Sequence, residues 1–127
     1  MPKNTDIIPE EIADDEFLYR GVTTFNWDEE NNRPSSATFK DSLGASVDRD
    51  YNRDKDSCVN SLLSVKNFKA VCRVKAKDVR DSDALALYKP SIRNKYHSEI
   101  HDSAERIELS SKKAKRVRDK SEIVYPD

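Results

Sequence analysis

The segment that most restricts the fold is residues 68–76, FKAVCRVKA, in which side-chain polarity alternates along the chain. Its positions fall into an apolar set and a mostly basic set: Phe68, Ala70, Cys72, Val74 and Ala76, against Lys69, Val71, Arg73 and Lys75. A period of two is typical of a β-strand with one buried face. The chain therefore needs a sheet with at least one face covered by other elements.

The remaining patterns indicate the elements around that strand. Short apolar or aromatic runs predict strands over 17–22, 37–40, 45–48, 84–90, 96–101 and 121–126. Spacings of three and four predict a helix over 52–66, a helical turn is expected near 77–83, and Leu109-Ser110-Ser111 introduces a basic helix ending near 119. Because strands and helices do not alternate regularly, we predict an α+β fold: a small mixed, mostly antiparallel sheet with two or three short helices.

Length and composition limit the organisation and the function class. The chain has 127 residues, of which 35% are hydrophobic, so residues 14–127 are expected to form a single α+β domain with a modest core. Residues 1–13, with two prolines, are expected to form a flexible arm. A net charge of -1 argues against a general attraction to polyanions. We expect no membrane segment and a cytoplasmic location, with Cys58 and Cys72 as buried thiols.

The segment NKYHSEIH contains the only two histidines of the chain, His97 and His101, with Glu99 between them. On a strand all three side chains share one face. Successive same-face positions lie roughly 6.5 to 7 Å apart, too far to share one ion on a flat strand, so we predict no metal site. The alternatives are an ordinary polar sheet face, or a site in which His97 or Glu99 acts together with other segments.

The order of three motifs resembles the mono-ADP-ribosyltransferases. Arg20 precedes Gly21 at the end of the first predicted strand, PSSATF follows, and Glu99 lies on a later strand. The resemblance implies that Arg20 and Ser35 or Ser36 contact NAD and that Glu99 stabilises the ribosyl cation. These residue types suit that chemistry, since arginine grips phosphate and a carboxylate stabilises positive charge. The departures are the order PSSATF in place of Ser-Thr-Ser, and His97 two residues before Glu99. For the serine pair, the alternative is a capped turn after Pro34.

A second resemblance covers most of the chain. The segments RPSSATFKD, SVD and NKYHSEI are similar to those of a family of small bacterial proteins with an Arg-Pro-Ser-Ser, Phe, Ser-Val-Asp and His-x-Glu signature. This resemblance names no reaction, but it implies that its signature residues form one site or one structural cluster: Arg33, Ser35, Ser36, Phe39, Ser46, Asp48, His97 and Glu99.

Three functions follow as hypotheses. The best enzymatic hypothesis is NAD-dependent ADP-ribosyl transfer or NAD cleavage in a bacterial protein, with His97 and Glu99 catalytic and Arg20, Arg33, Ser35 and Ser36 binding NAD. Nucleic acid is a less favoured partner, through a basic helix carrying Lys112, Lys113, Lys115, Arg116, Arg118 and Lys120. The third is a protein-partner adaptor or antitoxin-like protein that uses Phe25 and Trp27 as anchors.

Overall fold

A computed structural model of the chain describes residues 7–126. The strands are β1 (Phe17–Val22), β2 (Trp27–Asp28), β3 (Arg33–Pro34), β4 (Ala45–Arg49), β5 (Ala70–Lys75), β6 (Leu85–Tyr88), β7 (His97–His101) and β8 (Glu122–Tyr125). The helices are α1 (Lys55–Leu63), α2 (Ala76–Asp81) and α3 (Ser111–Lys120). The predicted α+β class is confirmed, but the strand expected over 37–40 is wrong, since residues 36–39 form a turn. No helix within residues 7–126 is both long and apolar enough to cross a membrane.

Six strands form one antiparallel sheet in the order β6-β7-β4-β1-β5-β8, and β2 and β3 form a separate two-stranded ribbon. Strand β5, which the alternation in residues 68–76 predicts, pairs with β1 along its whole length, from Phe17 opposite Lys75 to Val22 opposite Ala70. The strands that carry Arg20, Ser46 and Glu99 are therefore neighbours or next neighbours in the sheet.

One sheet face carries the main core. Leu18, Val47, Cys72 and Ile100 point into it and are packed with residues of α2 and α3. Helix α3 begins after Ser110, whose hydroxyl accepts a hydrogen bond from the Lys113 amide, and it buries two core residues: Ala114 and Val117. These two positions are the ones that the helical spacing predicts as buried.

The opposite face is covered only in part. Helix α1 begins after Asp54, whose side chain accepts a hydrogen bond from the Ser57 amide. The helix buries Cys58 and Val59 against Tyr19 and Val71. Because Cys58 and Cys72 belong to clusters on opposite faces, the sheet separates the two thiols. The outward face of β5 is therefore less exposed than its basic pattern suggests, since α1 covers Val71.

The second half of the expected N-terminal arm is attached to the domain, whereas residues 1–6 lie outside the described residues. Ile12 is buried in the main core. The guanidinium of Arg49 donates to the Pro9 and Glu11 carbonyls, and Arg80 donates to the Ile12 carbonyl. Two buried or half-buried arginines thus fix residues 9–12 by their main-chain oxygens.

Candidate functional site

The central feature of the candidate site is a gap between β1 and β4. These strands pair only at Leu18 opposite Arg49 and at Tyr19 opposite Asp48. Beyond that point β1 continues along β5, and β4 continues along β7 as far as Ala45. The two central strands therefore separate within the sheet. On the edges that face the gap, main-chain groups of β1 and β4 do not pair with each other.

Arg20 spans this gap. Its Nη1 donates to the Ser46 carbonyl oxygen of β4 at 2.7 Å, and its Nε donates to the Thr38 carbonyl oxygen at 2.7 Å. The Arg20 guanidinium carbon lies 5.9 Å from the centre of the buried Phe39 ring. Burial lowers the pKa of Arg20 from its ordinary value. Two of the acids before β1 have other partners, since Asp14 pairs with Arg80 and Glu16 with Arg49.

The gap opens into a cleft of about 560 Å³, which we call the β1–β4 cleft. Its lining includes polar groups from β1, β4 and β7: Arg20, Ser46, Asp48 and His97. One wall is the C-terminal end of α1 and the segment after it, with Leu62, Val65, Lys66 and Phe68; the other is the loop before β7, with Arg93 and Asn94. The volume lies within the range of about 300 to 1,000 Å³ that is typical of small-molecule sites.

Beside the cleft, both imidazoles approach the carboxylate of Glu99. The His101 Nε2 atom lies 2.8 Å from Glu99 Oε1, and His97 Nε2 lies 3.5 Å from Glu99 Oε2. Only His97 of the three lines the cleft. If His101 donates from Nε2, its bond fixes the direction of the carboxylate next to His97. Residues 7–126 contain no group of three or more Cys, His, Asp or Glu side chains arranged to hold a metal ion.

Asp48 connects the cleft floor to the loop before β7. It lies opposite His97 in the sheet and is buried, and its Oδ1 accepts a hydrogen bond of 2.9 Å from Asn94 Nδ2. The Asn94 Oδ1 atom in turn accepts a bond from the Tyr96 amide. This pair holds the loop that carries Arg93 against β4.

Both glycines of the chain contact this site. A Cβ atom on Gly21 would overlap the Phe68 ring, and one on Gly44 would lie 2.7 Å from His101 Nε2 and 2.8 Å from Glu99 Oε1. Gly44 also has a φ of +100°, which disfavours any side chain. In a chain with only two glycines, their positions beside Arg20 and Ser46 were a sequence signal for the cleft that motif reading missed.

The RPSS segment does not reach the cleft. Arg33 lies in the β2–β3 ribbon, 4.0 Å from Asp28. The Ser35 amide donates to the Asn26 carbonyl and its hydroxyl accepts from the Ala37 amide, while Ser36 is exposed. Ser35 thus forms the local capped turn considered as an alternative. Of the residues that the two resemblances single out, the structure brings together Arg20, Ser46, Asp48, His97 and Glu99, and it places Arg33, Ser35 and Ser36 elsewhere.

The basic residues of α3 are only partly available to a polyanion. Lys113 lies 3.4 Å from Asp102, Lys115 lies 3.3 Å from Asp119, and Arg118 donates to Asp119 and to the Pro34 carbonyl. Internal partners therefore engage half of the six cations on which the nucleic-acid hypothesis depends.

Comparison with known proteins does not assign a family or a function to the chain. No protein-family model matches the chain, and no curated protein or solved structure is significantly similar to it.

Proposed function

We propose that the chain binds NAD in the β1–β4 cleft and cleaves its nicotinamide–ribose bond, with transfer of ADP-ribose to an acceptor or to water. One observation carries this proposal: Arg20 and His97, from strands on either side of β4, line the same cleft, and Glu99 lies beside His97. The serine between them in this geometry is Ser46 of β4, in place of Ser35 or Ser36.

The side chains suit the charges that develop in this reaction. When the glycosidic C–N bond breaks, its electron pair leaves with nicotinamide and positive charge develops on the ribose. The Glu99 carboxylate would stabilise that charge, with His101 holding its orientation. His97 would then accept the proton of the attacking hydroxyl or water as a general base.

Cations at the cleft mouth would engage the pyrophosphate. Arg93 and Lys66 line opposite walls, and neither makes an ion pair with a residue in the described part of the chain. Arg20 already uses Nε and Nη1 for main-chain oxygens. We therefore assign Arg20 the role of holding the split open and Arg93 the role of direct phosphate contact.

The test measures NAD binding by calorimetry and nicotinamide release by chromatography. We expect Glu99→Gln to retain NAD binding and to lose release by a factor of roughly 100 or more, in line with the loss of one electrostatic group. Arg93→Gln should weaken NAD binding. Ser36→Ala is the control and should behave as the wild type, because Ser36 is exposed and does not line the cleft. Absence of NAD binding by the folded wild-type chain at saturating concentrations would contradict the proposal.

A further inference from the structure

The most exposed large apolar side chains of residues 7–126 belong to segments that line the β1–β4 cleft. Phe25 is 93% exposed, Val65 81% and Leu43 79%, and Ile92 is fully exposed. Val65 lines the cleft. Phe25 and Ile92 directly precede the lining residues Asn26 and Arg93, and Leu43 is two residues after the lining residue Asp41. Among the other exposed apolar residues, Ile7 is 67% exposed and Ile107 46%, and neither lines the cleft. We call Phe25, Leu43, Val65 and Ile92 the apolar rim.

The four rim residues come from four separate segments. Phe25 lies in the turn after β1, Leu43 precedes β4, Val65 follows α1, and Ile92 precedes β7. Single exposed apolar residues are normal on a protein surface, but a set that is gathered from distant segments around one cleft indicates a contact surface. Because the core is small and apolar residues are scarce in this chain, leaving these four in water is a cost that folding alone does not explain.

The cations beside Val65 and Ile92 favour an acidic partner, whereas the Asp41 carboxylate near Leu43 already accepts a hydrogen bond from the Leu43 amide. Val65 is followed by Lys66 and Ile92 by Arg93, so two aliphatic side chains each stand next to a cation without an ion-pair partner among residues 7–126. An acidic segment with apolar side chains complements this pattern. A nucleic acid would need more cations and would gain little from aliphatic contacts.

We propose that the apolar rim is the docking surface for a partner protein, which inserts apolar side chains between Val65 and Ile92 and places carboxylates against Lys66 and Arg93. Because the proposed function assigns Lys66 and Arg93 to the pyrophosphate of NAD, the partner and NAD would compete for these two cations, a consequence that rests on the proposed function. The docking itself does not depend on that chemistry.

Selection of a random peptide display library on the wild-type chain, without NAD, tests the surface. We expect the selected peptides to combine acidic and apolar residues and to lose affinity by about tenfold or more for Val65→Ser/Ile92→Ser, as the removal of two buried aliphatic contacts implies. Lys66→Glu/Arg93→Glu should also lose binding. The matched controls are Ile107→Ser and, for the same change of net charge, Lys112→Glu/Arg116→Glu on α3; both should bind as the wild type does.

Several results would overturn the proposal. Selected peptides without acidic residues, or peptides that bind Val65→Ser/Ile92→Ser as tightly as the wild type, would exclude the rim. A dimer seen by light scattering and abolished in Val65→Ser/Ile92→Ser would assign the rim to a second copy. Binding of polyuridylate that is lost in Lys66→Glu/Arg93→Glu but kept in Val65→Ser/Ile92→Ser would assign it to nucleic acid. Calorimetry with NAD on Val65→Ser/Ile92→Ser distinguishes failure of docking from failure of the proposed reaction.

Discussion

Arg49 holds both carboxylate oxygens of Glu16 inside the domain, with 2.9 Å from Nε to Oε1 and 2.6 Å from Nη2 to Oε2. The Arg49 side chain is completely buried, and its guanidinium lies 4.7 Å from the Tyr88 ring centre. Its remaining donors serve the Pro9 and Glu11 carbonyls. A buried cation with a fork-shaped set of donors thus joins β4 to the start of β1 and to the N-terminal segment.

We expect Glu16→Gln to lower the free energy of unfolding by about 3 kcal/mol, because removing one member of a buried pair leaves the other charge uncompensated. Urea denaturation followed by circular dichroism measures the change. Glu122→Gln is the control, since Glu122 pairs with Arg73 at 2.6 Å but is more than half exposed. Exposed pairs contribute under about 1 kcal/mol. Equal losses for the two variants would contradict a special role for the buried pair.

The same pair predicts sensitivity to acid. Burial alone would raise the pKa of Glu16, but hydrogen bonds from Arg49 and from the Ala13 amide outweigh it and lower the pKa below its ordinary value of 4.5. The stabilisation is therefore complete above that ordinary value and is lost as the pH falls through the lower pKa of the folded state. We expect the unfolding free energy of the wild type to decrease more steeply below pH 4.5 than that of Glu16→Gln. Parallel pH profiles of the two proteins would refute this assignment.

Gly44 is expected to tolerate no side chain. Alanine there would adopt a φ of +100° and would bring its Cβ within 3 Å of both Glu99 and His101. We expect Gly44→Ala to cost about 2 kcal/mol of unfolding free energy, from backbone strain and from displacement of the carboxylate. The double variant Gly44→Ala/His101→Ala should recover the steric part and keep the strain. If the losses of unfolding free energy from the two substitutions simply add, a side chain at position 44 does not clash with His101.

The sequence predicted elements better than it predicted the site. Alternation identified β5 and β7, and helical spacing identified the buried positions of α3, because burial of one face directly determines which residues are apolar. The split between β1 and β4 has no such pattern, since it depends on which strands become neighbours. Ser35 and Ser36 matched a motif by order along the chain, yet a local turn engages Ser35, and Ser46 lies in the cleft instead. Local signals for the site came from the alternation of His97, Glu99 and His101 and from the two glycines.

The separated thiols predict how the fold responds to alkali. Burial raises the pKa of Cys72 to about 12 and that of Cys58 to about 11, from an ordinary value of 9.0. The unfolded chain therefore ionises first, so stability is complete below pH 9.0 and falls as the pH rises toward 11 and 12. Each thiol contributes a slope of about 1.4 kcal/mol per pH unit in that window. Cys72→Ala should lose stability at neutral pH through its cavity but show a shallower alkaline decline than the wild type.

Because the sheet separates the two sulfurs, a reductant should leave the urea midpoint of wild-type unfolding unchanged. A lower midpoint in the reductant would reveal a disulfide and overturn this prediction.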